Sequence, residues 1–196
     1  MHRFLKHSLV ALTVPLMISC GTANVTLTYA PHGKVALASQ LAQPVMLGTF
    51  IDQRGEPSNW LGTVRGGFGN PLYKLQSERP VAEIVRIAFL DAIRLRQIKT
   101  DSSSSLQQIS GVIKKLDCNK NVFGGFEANA QIEITVVDSL GQQRFVRTYS
   151  ISNVDNSRPT GTFSSVDDLH RTLERTLREV IDQALDDSAL RSVLRL

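Results

Sequence analysis

The residue with the clearest chemistry in this chain is Cys20, because of the segment that precedes it. Residues 1–7 carry one arginine, one lysine and no acid, residues 8–17 are almost wholly apolar, and Ser19 is a small residue directly before the cysteine. A basic stretch, a short apolar stretch and a small-residue exit are typical of a secretory signal peptide. The apolar stretch is far shorter than the roughly 20 residues that a membrane-spanning helix needs. A cysteine thiolate at this exit can be alkylated by lipid.

Residues 17–20, Met-Ile-Ser-Cys, resemble the lipobox of bacterial lipoproteins, with methionine in place of the more usual leucine. The resemblance implies that Cys20 receives a diacylglyceryl group and that residues 1–19 are removed as a lipoprotein signal peptide. Because each buried methylene contributes about 0.8 kcal/mol, two or more acyl chains anchor a protein stably in a membrane. Gly21 follows the cysteine. An aspartate there is the usual signal for retention in the inner membrane, so the resemblance implies the outer membrane. The alternative is an ordinary cleaved signal peptide with a chance cysteine.

The other reactive groups form no pattern for catalysis or metal binding. Besides Cys20, the mature chain contains only His32, His170 and Cys118 among its histidines and cysteines, and their sequence neighbours do not supply the clustered ligands of a zinc site. The glycine-rich residues 62–69 lack the Lys-Ser/Thr pair of a phosphate-binding loop and the third glycine of a dinucleotide-binding turn. We therefore expect no enzyme activity, no metal and no cofactor. Cys118 is expected to be a small buried hydrophobe, with a reactive thiol as the alternative.

Length and charge narrow the class of protein further. The chain has 196 residues and a formal net charge of +4. Without the leader, about 177 residues with a charge of about +2 remain, which suits one domain with a substantial core. No run of five like charges occurs, so we expect an ordinary solvated surface and no nucleic-acid partner. With Cys20 acylated, one cysteine is left, and no internal disulfide is expected.

The spacing of apolar residues predicts strands and helices. Strict alternation from Ala128 to Val136 predicts a strand with one buried and one wet face. Spacings of three and four residues predict amphipathic helices at 80–98 and 165–185. Residues 52–79 are rich in glycine and proline and are expected to form a long, partly ordered loop. The other predicted elements are strands at 25–29, 45–51, 106–118 and 143–152, and a short final helix at 188–194.

Six apolar or aromatic side chains form a candidate partner surface. Three are aromatic residues within the predicted loop, and aromatic residues argue against plain disorder. Three are apolar residues on the flank of the first helix opposite its apolar stripe, which hints at a second contact surface. The six are Trp60, Phe68, Tyr73, Ile87, Leu90 and Ile93. The alternatives are a loop that only covers its own sheet and a helix that is buried more deeply than its pattern suggests.

These features follow one another in a definite order: the lipobox, a strand ending in Asp52-Gln53-Arg54, Leu61-Gly62 before a glycine-rich loop, a helix, three strands and a closing helix near Ala189-Leu190. This order resembles the YajG-like family of uncharacterised bacterial lipoproteins, for which no catalytic residues are known. In element order the chain is also similar to lipopolysaccharide-assembly lipoproteins and to auxiliary lipoproteins of ABC-type lipid transporters. Both groups bind other envelope components rather than catalyse a reaction. A similar order of elements is an analogy at the level of the fold and does not by itself establish a shared function.

From these patterns we expect an α+β fold in which a small, mainly antiparallel sheet carries two helices packed on one face, as a two-layer sandwich. Residues 20–44 would form the lipidated N-terminus and lead-in, and residues 45–196 a single α+β domain. The expected function is that of a non-enzymatic, lipid-anchored binding or assembly subunit at the periplasmic face of the outer membrane. Its expected partners are the membrane and an envelope protein. The alternatives are a carrier of a small amphiphile such as a phospholipid, and a purely structural lipoprotein.

Overall fold

The computed structural model describes residues 21–40, 42–65, 70–101, 107–120, 125–155 and 166–196. Within these residues, one sheet of seven strands packs with three helices. The elements in chain order are β1 (Gly21–Val25), β2 (Val45–Asp52), β3 (Trp60–Arg65), β4 (Pro71–Ser77), α1 (Val81–Leu95), β5 (Gln107–Lys120), β6 (Phe126–Val137), β7 (Gln143–Asp155), α2 (Val166–Leu185) and α3 (Ser188–Leu194).

Strand β5 is the centre of the sheet, whose order is β1-β4-β3-β5-β6-β7, with β2 also paired to β5. β6 pairs with β5 along residues 108–120, so β2 and β3 must both lie along the other edge of β5. There, β2 pairs with residues 107–113 and β3 pairs with residues 118 and 119. A gap in the pairing therefore lies opposite residues 114–117, where the chain leaves the sheet between β2 and β3.

The sheet is mixed, so the prediction of a small, mainly antiparallel sheet was wrong. The pairs β1–β4, β2–β5 and β3–β5 are parallel. The pairs β3–β4, β5–β6 and β6–β7 are antiparallel. Short connections join β5, β6 and β7, which makes them antiparallel neighbours. The route from β2 and β3 to β5 runs through α1, and a crossover of this length gives parallel pairing.

The α+β class is confirmed, but the helices do not form the predicted layer of two. α2 lies against β5, β6 and β7, whereas α1 has its main contacts with β2 and α2. α3 packs against α2 and β7. The two long helices thus cover different strands of the sheet. α1 covers β2, and α2 covers β5, β6 and β7 beside it.

The core forms where the apolar face of the sheet meets the apolar stripe of α2. Alternate residues of β6 are buried from Phe126 to Val136, while the residues between them remain half-buried. On α2, the buried side chains recur at spacings of three and four, as an amphipathic helix requires. Burying each such leucine or isoleucine contributes about 1.5–3 kcal/mol. The strict alternation therefore predicted both the strand and its buried face correctly.

The lead-in, residues 20–44, packs against the rest of the domain at several of its described residues. Val25, Leu27 and Tyr29 belong to the common hydrophobic core. Between them, the backbone N–H and hydroxyl of Thr28 both donate to Oε1 of Glu174 on α2, at 3.0 and 2.9 Å. The strand itself covers Gly21–Val25 rather than the predicted 25–29. Beyond Val25, the alternation of apolar residues at Leu27 and Tyr29 reflects burial in the hydrophobic core rather than pairing in a sheet.

The prediction that residues 52–79 form a long loop was wrong, because β3 and β4 form an antiparallel pair within it. The glycines suggested turns, but Gly62 lies inside β3 for a different reason. A Cβ atom at this position would collide with the backbone carbonyl of Cys118 on β5. Glycine is therefore needed here for a close approach of two strands. Phe68 lies outside the described residues.

Candidate functional site

The chain enters the sheet at the residue that follows the predicted lipid anchor. Cys20 lies outside the described residues, and its lipidation stays a prediction. β1 begins at Gly21, which pairs in parallel with Tyr73 of β4. The Tyr73 ring lies close to this glycine, since a Cβ atom on Gly21 would be 2.6 Å from ring atoms Cδ1 and Cε1. Glycine at this position thus allows an aromatic ring to cover the start of β1.

Of the six residues of the candidate partner surface, the five that the structure describes do not lie together. Tyr73 is 49% exposed near the start of β4, and Trp60 pairs with Gln76 at the other end of the β3–β4 pair. Ile87 and Leu90 are half-buried on α1. Ile93 is 0% exposed and belongs to the core, so its side chain cannot contribute to a partner surface. For Ile93 the alternative expectation is therefore correct: α1 is buried more deeply here than its sequence pattern suggests.

A groove of about 250 Å³ lies beside α1 and contains Ile87. Ile87 shares the groove with apolar side chains from α1 and from the lead-in, and charged residues are also among those that line it. This volume is below the roughly 300–1,000 Å³ of typical small-molecule sites. The groove is thus better matched to a protruding apolar side chain than to a whole phospholipid. Its main lining residues are Leu27, Ile84, Ile87, Ala88, Arg79 and Asp91.

A second, polar pocket of about 370 Å³ contains Trp60 and lies at the gap in the sheet. Its key member is Arg54, whose guanidinium is almost fully buried and pairs with Asp52 at 2.8 Å. The same guanidinium donates to the carbonyl oxygens of Trp60 at 2.7 Å and Leu116 at 2.9 Å. Arg54 therefore replaces the backbone hydrogen bonds that are missing where β2 and β3 both leave β5. The Asp52-Gln53-Arg54 sequence serves to close this gap.

The charged groups around the polar pocket do not form an acid–base pair. Burial raises the pKa of Asp117, while Lys115 and a hydrogen bond from Asn129 act in the opposite direction. Asn119 donates to Oδ1 of Asp117 at 3.2 Å and accepts from the backbone N–H of Thr63 at 3.2 Å. A carboxyl group with a perturbed pKa in a cleft can mark a functional site. Here the amides around it fix its position, and the residues that line the pocket include no serine, threonine, cysteine or histidine.

His170 and the remaining cysteine have structural roles, whereas His32 is exposed. His170 donates through Nε2 to the Thr26 carbonyl oxygen at 2.8 Å, and His32 is exposed in the lead-in. Cys118 is fully buried, and burial raises the pKa of its thiol to about 12. Among the residues that the structure describes, no group of three His, Cys, Asp or Glu side chains could hold a metal ion.

Cys118 should be unreactive towards thiol reagents in the folded protein. The thiolate is the reactive species, and a thiol with a pKa near 12 is almost wholly protonated at neutral pH. We expect Ellman's reagent to label Cys118 at least about 100-fold more slowly in the native protein than in the unfolded protein. The measurement is the absorbance time course with and without urea on a chain that begins at Gly21. Comparable native and unfolded rates would instead indicate a reactive, accessible thiol.

A buried charge cluster joins the lead-in to both long helices, and sequence reasoning missed it. Arg96, at the C-terminal end of α1, is fully buried. Its Nη2 donates to Oδ1 of Asp182 at 2.8 Å and to Oδ1 of Asp186 at 3.1 Å, and its Nη1 donates to the Tyr29 hydroxyl at 2.9 Å. The Tyr29 hydroxyl in turn donates to Oδ1 of Asp182 at 2.5 Å. The only hint in the sequence is a pair of aspartates four residues apart, Asp182 in the last turn of α2 and Asp186 directly after the helix.

A second cluster fixes the junction between α2 and α3 to β7. Asp187 is the N-cap of α3 and accepts from the backbone N–H of Ala189 at 2.8 Å. Its other oxygen accepts from the Tyr149 hydroxyl at 2.6 Å and from Arg147 at 2.5 Å. Burial opposes ionisation of Asp187, but the hydrogen bonds from Tyr149, Ala189 and Arg147 outweigh it and lower the pKa of the carboxyl.

The stability of the domain should therefore fall at acid pH in a way that depends on Asp187. Because its pKa is lower in the folded state, the stabilisation is present above the unfolded pKa of about 3.9 and is lost as pH falls through the folded pKa. Asp187→Asn should lower the free energy of unfolding by about 1 kcal/mol at pH 7, because asparagine can still cap α3 but loses the charge-assisted hydrogen bonds from Tyr149 and Arg147, and by less at pH 2. Urea unfolding at both pH values measures this. Asp167→Asn, at an exposed position of α2, is the control. An equal loss at both pH values would contradict the expectation.

No helix in the described part of the chain is long and apolar enough to cross a membrane. No protein-family model and no curated protein matches the sequence, so the resemblance to the YajG-like family stays a prediction.

Solved structures do match the fold. A Xanthomonas campestris protein of the family DUF330 has 12% identity and a TM-score of 0.61, covering 87% of this chain and 96% of that one. An uncharacterised protein has 9% identity and a TM-score of 0.53, covering 89% and 99%. A minor lipoprotein from Acinetobacter baumannii has 6% identity and a TM-score of 0.41, covering 79% and 95%. The first two likenesses establish that this α+β fold occurs in other proteins, and at these identities they extend to the fold alone.

Proposed function

We propose that this chain is a non-enzymatic, lipid-anchored lipoprotein of the bacterial envelope that acts as a binding or assembly subunit at the periplasmic face of the outer membrane. The observation that carries the proposal is the position of Gly21. The residue after the predicted lipidated cysteine is already the first residue of a sheet strand. A mature chain that begins at Cys20 would therefore retain every residue that the structure describes and hold them close to the anchor.

The chemistry of the described residues supports a non-enzymatic role. The buried ionisable groups Arg96, Asp187 and Arg54 each bind partners that join separate elements of the fold. Cys118 is sealed in the core. Groups used in this way stabilise the domain and are not open to a substrate. The proposed family, by sequence resemblance, is the YajG-like lipoproteins.

The anchor is tested by exchanging the two cysteines separately. Cys20→Ala should abolish incorporation of labelled palmitate and shift the protein from the membrane to the soluble fraction, because it removes all acyl chains at once; we expect more than about a tenfold change in partition. Cys118→Ala is the matched control and should keep both the label and the membrane fraction. Labelling that survives Cys20→Ala, or that is absent from the unaltered protein, would refute the lipid anchor. Separating inner from outer membranes on a density gradient then tests the location.

The proposed contact residues are Ile87 and Leu90 beside the α1 groove and Trp60 at the polar pocket. A photoreactive amino acid at each position should give discrete higher-mass adducts in intact cells. Leu140, in the exposed turn between β6 and β7, serves as the control position and should give none. Absence of adducts at all three positions would favour a purely structural lipoprotein.

The second candidate function is a carrier of a small amphiphile, for which the groove beside α1 would be the binding site. At about 250 Å³ the groove is small for a phospholipid. Native mass spectrometry of the chain from Gly21, purified from bacterial cells, distinguishes the two functions. A subunit that binds proteins should give the mass of the chain alone, whereas a carrier should retain a lipid.

A further inference from the structure

The start of β4 is exposed in a way that its position in the sheet does not explain. β4 is an inner strand, hydrogen-bonded to β1 on one side and β3 on the other. Inner strands normally have at least one face covered. Yet the first four residues of β4, Pro71–Lys74, are all exposed, although their side chains alternate between the two faces of the sheet. This end of the sheet therefore extends beyond the cover of the helices on both faces.

Two of these exposed side chains are large and apolar. Leu72 is 39% exposed and Tyr73 is 49% exposed. Consecutive residues of a strand point to opposite faces, so apolar surface is presented on both sides of the same strand end. Lys74 follows them directly. A tyrosine and a lysine next to apolar surface are typical of the boundary between a bilayer and water, where the ring and the long stem reach the headgroups.

The register of β1 brings the predicted anchor to the same place. Gly21 pairs with Tyr73 and Thr22 with Lys74 in a parallel ladder. Cys20 precedes Gly21 in the sequence, so an acyl chain on its sulfur would be attached one residue of chain, about 4 Å, before the paired end of β1. No linker separates the acylated residue from the folded domain. The exposed apolar side chains and the lipid are thus held at one end of the molecule.

We propose that the β1–β4 corner, formed by Gly21, Thr22 and Pro71–Lys74, lies against the bilayer, with Leu72 and Tyr73 in the interfacial region. This proposal rests on the lipid anchor proposed above and adds the orientation of the domain. It commits the corner to lipid rather than to a protein partner. The turn that holds Leu140 lies at the opposite end of β6, about 40 Å away along a strand of twelve residues, and points away from the membrane.

The test uses the acylated full chain in vesicles of phosphatidylethanolamine and phosphatidylglycerol whose acyl chains carry bromine near the headgroup. Trp60 is the only tryptophan and is first replaced in Trp60→Phe. Single reporters are then introduced as Tyr73→Trp, Leu72→Trp or Leu140→Trp. Bromine quenches only tryptophans at bilayer depth. We expect the first two reporters to lose more than half of their fluorescence and the Leu140→Trp reporter to lose none.

The two proposals fail in different ways. If the acylated protein stays with floated vesicles but neither Tyr73→Trp nor Leu72→Trp is quenched, the orientation is refuted while the anchor stands. A protein partner or a second copy would then cover the corner. Quenching of Leu140→Trp to the same degree would also refute the orientation. If the protein does not float with vesicles at all, the anchor is refuted and the orientation with it. Two reporters at different positions guard against a local change at the strand end caused by one substitution. Circular dichroism of each variant checks the fold.

Discussion

Replacing Arg96 with methionine should lower the free energy of unfolding by about 3 kcal/mol, although the substitution keeps most of the buried volume of the side chain. The methionine removes the hydrogen bonds to Asp182, Asp186 and Tyr29. Removing one partner of a buried ion pair typically costs about 3–5 kcal/mol, because an uncompensated charge is left behind. Urea unfolding should show a lower midpoint with an unchanged slope.

The partial exposure of the carboxylates places the effect near the lower end of that range. The side chain of Asp182 is 27% exposed and that of Asp186 is 44% exposed. Water can therefore hydrate both when the guanidinium is removed. The Tyr29 hydroxyl stays protonated at neutral pH, because burial and the hydrogen bond to Asp182 raise its pKa to about 12. It continues to donate to Asp182 in the variant and limits the loss further.

The control is Arg94→Met, two residues earlier on the same helix. Arg94 is 64% exposed and lies 3.6 Å from Asp91, an exposed ion pair that contributes at most about 1 kcal/mol. Adding Asp182→Asn to Arg96→Met should recover part of the loss, because the unpaired charge is then absent. Equal effects at Arg94 and Arg96 would mean that the buried cluster adds nothing beyond a surface pair.

The features that sequence reasoning predicted correctly are those that repeat along the chain. The helices α1, α2 and α3 and the strands β2, β5, β6 and β7 each carry enough apolar residues at one period to be recognised. The stripe of α1 was less accurate. It left out Ile93, which was assigned to the candidate partner surface and is 0% exposed. α1 is covered by both β2 and α2, so it is buried over more of its circumference than one stripe indicates.

The features that were missed depend on contacts between distant parts of the chain. Nothing in the local sequence of β2 and β3 indicates that both pair with one side of β5, which makes the sheet mixed. The partners of Arg54 include Leu116, 62 residues away, and Arg96 meets Asp182 across 86 residues. A buried arginine has the same local sequence signature as a surface cation near a helix end. For the same reason, the candidate surface residues were assigned to one surface, whereas the five that the structure describes lie apart.

Gly62→Ala is the substitution with the largest expected effect on stability, above about 4 kcal/mol. The added Cβ atom would collide with the carbonyl oxygen of Cys118, and it would lie 2.9 Å from the carbonyl carbon. These are backbone atoms of the central strand, so no side chain can rotate away. β3 is also unable to shift, because Leu61 is fully buried and the Thr63 N–H is bonded to Asn119. The strands must separate, and the Arg54 hydrogen bonds at the adjacent gap would be strained with them.

Gly48→Ala in β2 is the matched control for this substitution. There the added Cβ atom meets the side-chain ends of Gln108 and Ser110, which can rotate, rather than backbone. We expect a loss of about 1 kcal/mol or less, typical of a site that relaxes. Thermal unfolding of the two variants makes the comparison, and the melting temperature of Gly62→Ala should fall by at least about 8 °C more than that of Gly48→Ala. Similar melting temperatures would mean that β3 does not approach β5 as closely as the described contact requires. The parallel pairing that links the β3–β4 pair to the rest of the sheet would then be in doubt.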